Sequence, residues 1–236
     1  MTSEATTTAA PRIDSYTLLA LLISLVAYPA IYSSGIMGRI ITPIFTEDSR
    51  LHWWYFWLAN MAFHWIPFGF VWLALRKNQE GWSSIGLNWN WFLEHKVWFG
   101  LLIGFLAIMA FVMPGVHYGD ALPGRSQTIF IAPVSTAERL FVIWGAITAG
   151  VTEEVLFRGF AFTRLARVIR NPWLILPISV LSFLFIHGTP RDVEALVSYT
   201  AAGLAFGVPF ILMKFRRLEI LILIHFLIDA GMVLAP

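Results

Sequence analysis

Seven runs of mostly apolar residues constrain this chain more than any other feature. A membrane-spanning helix needs about 20 such residues. Stretches of that kind read at Tyr16–Ser34, Trp53–Leu75, Val97–Pro114, Arg139–Thr163, Trp173–His187, Ala195–Met213 and Leu218–Leu234. The fold class they predict is all-α: a polytopic transmembrane helix bundle of about seven spans, since helices pair their own backbone groups in lipid. Composition agrees, with 58% of the 236 residues hydrophobic and 13% charged, against about a quarter charged in a soluble domain. The second run is crowded with Trp53, Trp54, Tyr55, Trp57, Trp65 and Trp72, as expected near membrane interfaces. The fifth is short and carries Pro172 and Pro177 at its start.

The rest of the chain is small. Residues 1–15, MTSEATTTAAPRIDS, are polar and Thr/Ala-rich and read as a disordered tail. They lack a cationic start, so no cleaved signal peptide is expected, and residues 16–236 form one membrane domain. The linker Asn78–Lys96, with WSSIGLNWNW, reads as an amphipathic surface segment rather than a span. A net charge of +2 gives no warrant for nucleic-acid binding. With no cysteine there are no disulfides, thiolate metal sites or cysteine nucleophile.

Loop charges orient the bundle. With seven spans, one side carries ten cations: Arg12, Arg76, Lys77, Lys96, Arg164, Arg167, Arg170, Lys214, Arg216 and Arg217. The other carries five, Arg39, Arg50, Arg125, Arg139 and Arg191, and Arg158 within a span completes the sixteen. The positive-inside rule then places the N-terminus in the cytoplasm. A bacterial or archaeal cell membrane suits a chain of this size with short loops.

Charges inside the spans need a reason, because each is unfavourable by about 2.5–3.5 kcal/mol on insertion scales. They are Glu153, Glu154, Arg158, His187, His225 and Asp229, with His64 on the second run. Glu154 and Arg158 are four apart, share a helical face and can pair. Glu153 points about 100° away and has no partner in its own helix, which suits a general base. FLFIH sets Phe183 and His187 four apart, and HFLID does the same for His225 and Asp229. A lone histidine on an apolar helix is more often a satisfied core residue, and His64 reads that way. The others, on three late helices, converge on a polar cavity. By axial rise, Glu153 and His225 fall in the same half of the bilayer. His187 falls deeper unless its helix starts near Pro177 or tilts.

Several chemistries use such groups. A metal site could draw on His187, His225, Glu153 and Asp229, but HExxH and paired Glu-x-x-His repeats are missing. Ser179 and Ser182 lie near His187 without a GxSxG turn. An aspartic dyad needs a second aspartate within a span. A carboxylate–imidazole pair that activates water remains, with polar groups for an oxyanion.

Three motifs carry a family resemblance. EEVLFR fits EExxxR, FLFIH fits FxxxH, and HFLID is close to HxxxN. In that order and spacing they resemble the CPBP family, which comprises the type II CAAX prenyl endopeptidases and the bacteriocin-processing or self-immunity (Abi) proteins. AAGLAFGVPFI resembles the family's small-residue helix, and SSIGL a short segment before its core, so the resemblance spans about residues 82–230.

It implies an intramembrane glutamic endopeptidase without metal or cofactor. Glu153 and His187 would activate water, His225 and Asp229 would form the oxyanion hole, and Glu154, Arg158 and Phe183 would support them. The substrate implied is a membrane-embedded or lipidated peptide or protein, cleaved in its C-terminal or sorting tail. Asp229 departs from the family's Asn. An ionised carboxylate only accepts hydrogen bonds, so Asp229 either is protonated or orients His225. Two readings of other classes stand beside this one: a non-catalytic immunity or scaffold protein with a buried polar network, and a proton-coupled transporter.

Overall fold

The computed structural model describes residues 13–36, 50–94, 135–190 and 192–234. The third expected span, Val97–Pro114, and the tail up to residue 12 lie outside these. Among the described residues all regular structure is helical. The helices are α1 (Ser15–Ser33), α2 (Arg50–Lys77), α3 (Trp89–Glu94), α4 (Thr136–Leu165), α5 (Pro172–Ile186), α6 (Val193–Leu212) and α7 (Leu218–Leu234).

Four of them, α1, α2, α4 and α6, are long and apolar enough to cross a membrane. The 15 residues of α5 and 17 of α7 rise about 22 and 26 Å, short of a hydrocarbon core of about 30 Å. Large apolar side chains such as Leu18, Val197 and Leu212 stand on the outer surface, as lipid contact requires. Helix α4 is the centre: 56% of its apolar window is buried, against 33% for α1 and α2 and 28% for α6. It packs along α7 and α2, while α5 packs along α6 and α1.

Local chemistry sets the helix ends. Ser135 and Glu138 form a reciprocal capping box that starts α4. Asn171 caps α5, with Pro172 in its first turn. The helix stops at His187 because Gly188 follows at φ 90°, a left-handed conformation that glycine adopts without penalty. The Asp14 side chain caps α1 and also accepts from Asn78 at 2.8 Å. Partial burial pushes the Asp14 carboxyl up, but hydrogen bonds from Thr17 and Asn78 outweigh it and hold the group at about 2.

Two π-helical turns interrupt the spans, and a serine of α5 answers each. In α1 the turn Ile23–Ala27 precedes Pro29. Proline has no N–H to give the carbonyl four residues back, and the Ser182 hydroxyl donates to Leu25 O at 2.9 Å instead. In α4 the turn covers Glu154–Phe160, and the Ala161 N–H reaches Leu156 O. This frees Phe157 O, which accepts from Ser179 at 2.7 Å.

The linker after α2 is more deeply held than a surface segment. Its 3₁₀ turn, Trp82–Ile85, buries Ile85 completely. Glu80 accepts from Arg164 and, at 2.6 Å, from Arg167. The buried Glu219 carboxylate accepts from Asn88 N at 3.0 Å. One end of the bundle thus joins the starts of α1 and α7 to the ends of α2 and α4.

Gly150 lets α4 and α7 touch. A Cβ there would lie 3.0 Å from Ile222 O and 3.1 Å from Phe226 N, backbone atoms that cannot swing aside. Gly150→Val is expected to force the helices apart and destabilise the protein by about 1–3 kcal/mol. Thermal unfolding in detergent checks this; an unchanged unfolding temperature would show that the contact is looser than described.

Candidate active site

Glu153 ends the regular part of α4, and Glu154 opens the π turn. Both are buried, as are Arg158 and His225. Glu154 Oε1 accepts from Arg158 Nη1 at 3.0 Å and lies 2.8 Å from His225 Nδ1. The pairing expected from spacing is therefore present, and it extends to α7. Arg158 also donates to Gly203 O at 3.3 Å, with its guanidinium 4.3 Å from the Phe183 ring centre. Glu154, Arg158, Phe183 and Gly203 tie α4, α5 and α6 together.

His225 is held by its Nδ1, which turns Nε2 toward two other carboxylates. Nε2 is 3.8 Å from Glu153 Oε2 and 3.5 Å from Asp229 Oδ2. The ring stacks on Phe206, centres 4.9 Å apart. Asp229 is partly exposed, 30% at its side chain, so the cluster grades from a closed base at Arg158 to an open mouth at Asp229.

His187 sits one layer above. The Ser179–Phe157 hydrogen bond fixes the register of α5 on α4. Glu153 is four residues from Phe157 and His187 eight from Ser179, which puts His187 about 6 Å further along the axis. Helical side chains lean toward the N-terminus, and its Nδ1 turns back to Phe183 O at 2.9 Å. Its ring is exposed and packs on Tyr199 (centres 4.5 Å apart) and Phe183 (4.8 Å). Phe183 is also in ring contact with His225, 6.3 Å between centres, and so lies between the two histidines. Helix α5 starts at Pro172, not near Pro177, so the height of His187 reflects a full-length helix.

His64, expected as a satisfied core histidine, is buried with Tyr28 as its hydrogen-bond partner, and it also lies beside the cluster. It comes from α2, is buried, and places Nδ1 3.7 Å from Glu153 Oε1. Tyr28 from α1 lies on the same nitrogen at 2.8 Å. No spacing rule connects residues 28, 64 and 153. The available signal was polar atoms on three otherwise apolar helices.

The carboxylate of Glu153 thus has a histidine near each oxygen, and its buried Oε2 has no protein hydrogen bond. Among the described residues no group of three or more His, Asp or Glu is arranged to hold a metal ion. Such an arrangement can take a proton from a water molecule and stabilise an anion beside it.

Among the described residues, an all-helical apolar bundle with four helices long enough to cross a membrane is that of an integral membrane protein. Residues 135–231 match the family model described as Type II CAAX prenyl endopeptidase Rce1-like. The matched segment contains α4 to α7 up to Gly231 and all three motifs, so the resemblance drawn from them holds. No curated protein and no solved structure matches the chain.

Proposed function

We propose that the protein is an intramembrane endopeptidase of the glutamic type. The observation that carries this reading is the buried Glu153 carboxylate, inside the family-matched segment, whose Oε2 has no protein hydrogen bond and lies 3.8 Å from His225 Nε2. Glu153 takes a proton from water, and the resulting hydroxide attacks the scissile carbonyl. His187, above the carboxylate, orients the water from the exposed side. A protonated His225 Nε2 faces the oxyanion, and Glu154 stabilises that charged ring through Nδ1. When the tetrahedral intermediate collapses, the C–N bond breaks and the proton on Glu153 passes to the leaving amine. Asp229, 3.5 Å from Nε2, fits the role of orienting His225 better than that of an oxyanion donor.

The substrate class is a membrane-embedded or lipidated peptide or protein, cut near its C-terminus or sorting tail. The N-terminus is cytoplasmic on the balance of loop cations. The test is hydrolysis of quenched membrane-peptide substrates by purified protein in detergent, with and without a chelator. Cleavage that survives the chelator and is lost in His187→Ala is the expected result. Cleavage that disappears with the chelator would replace the glutamic mechanism with metal chemistry.

A further inference from the structure

Helix α6 carries an aromatic residue that none of the three motifs contains. Gly207 faces Leu176 of α5, and a Cβ on Gly203 would lie 3.1 Å from Val180 Cγ1. Four residues along α5 thus correspond to four residues back along α6, so the two helices run antiparallel in a fixed register. Continued one turn, that register sets Tyr199 opposite Leu184. His187 is three residues beyond Leu184, about 4.5 Å higher. Side chains lean toward the N-terminus of their own helix, so in an antiparallel pair they lean toward each other. His187 leans down, Tyr199 leans up, and the rings stack with centres 4.5 Å apart and planes 24° from parallel. One turn along α6, Gly203 O accepts from Arg158 at 3.3 Å, which ties the height of this stack to the buried cluster.

The hydrogen bond from His187 Nδ1 to Phe183 O, 2.9 Å, fixes the chemistry of the ring as well as its angle. A carbonyl oxygen only accepts, so Nδ1 carries a proton, and in the neutral ring Nε2 keeps the basic lone pair. That assignment lasts only while the ring keeps its plane. His187 stands exposed at the end of α5, and exposed side chains change rotamer within nanoseconds unless something holds them. Phe183 meets the imidazole at 52°, whereas Tyr199 lies nearly parallel to it and opposes any turn of the ring out of that plane. We infer that Tyr199 is a positioning residue for His187: its aromatic face holds the imidazole so that Nδ1 donates to Phe183 O and Nε2 is the basic nitrogen. This rests on the proposed role of His187 in orienting the water. The face of the ring carries the role, so phenylalanine can supply it and an aliphatic side chain cannot.

Two substitutions separate the aromatic face from bulk alone. A stacked pair favours its held orientation by about 3–10-fold. Tyr199→Leu is therefore expected to lower kcat for the quenched membrane peptide about 3–10-fold with KM unchanged, and Tyr199→Phe to keep the wild-type kcat, both measured well below the unfolding temperature of each variant. A readout that needs no substrate accompanies the kinetics: nitrogen NMR of histidine-labelled protein in detergent at alkaline pH, with the His187 signals identified by their loss in His187→Ala. In wild type and Tyr199→Phe the proton should sit on Nδ1, and in Tyr199→Leu the signals should move toward an average of the two tautomers. A wild-type kcat in Tyr199→Leu, an unmoved tautomer in that variant, or equal losses of kcat in the Phe and Leu variants would each overturn the inference. If His187→Ala itself cleaves like wild type, the proposed role of His187 fails instead. If His187→Ala is inactive and Tyr199→Leu fully active, only the role of Tyr199 falls.

Discussion

Glu153→Gln is expected to lower kcat for peptide hydrolysis by about 10²–10⁴-fold and to leave the unfolding temperature unchanged or raised. The two effects have one cause. Glu153 is buried, yet its Oε2 has no hydrogen bond from the protein, a poor environment for a charge. Replacing the carboxylate with a neutral amide of the same shape removes that penalty and also removes the base. Enzymes commonly trade stability for activity in this way. Kinetics and thermal unfolding on one preparation decide it. Full activity in Glu153→Gln would end the general-base assignment. A lost activity that came with a lower unfolding temperature would make Glu153 a structural residue.

Arg158→Met is expected to destabilise the protein by about 3–5 kcal/mol, the range for removing one partner of a buried ion pair. Glu154 and Arg158 are both fully buried, so the substitution leaves a carboxylate facing only His225 in an apolar interior. It also removes the cation from the Phe183 and Phe206 rings and the donor from Gly203 O. The double variant Arg158→Met/Glu154→Leu removes both charges, and much of the lost stability should return. Activity should not return, because His225 Nδ1 then loses its 2.8 Å contact with Glu154 and the ring its orientation. Unfolding measurements on the single and double variants separate the effects. A neutral single variant, or a double variant with normal kcat, would show that the pair neither holds the helices nor orients His225.

How much of this was legible in the chain differs by residue. The Glu154–Arg158 pair and the shared face of His225 and Asp229 follow from helical period, and both are present. The 3₁₀ turn at Trp82 reads as part of an amphipathic surface segment because its apolar residues are interleaved with polar ones and form no run long enough to span. It is pinned by Glu80 to Arg164 and Arg167, a pairing over more than 80 residues that no local pattern reveals. The π turns were illegible for a related reason. They depend on Ser179 and Ser182 of another helix accepting the role of donor to freed carbonyls.

The sequence by itself determined that this chain becomes apolar helices, and that its late helices carry an ordered set of carboxylates and imidazoles. Hydrophobic run length and the fixed period of the helix are local properties, and each residue's neighbours in the chain suffice to state them. Only the tertiary structure decided which groups meet. Helix α4 ended up central, Gly150 let α7 close on it, and His64 and Tyr28 arrived from α2 and α1 beside Glu153. Contact across a bundle is set by the relative rotation and height of helices, which packing of whole surfaces fixes and no single segment encodes.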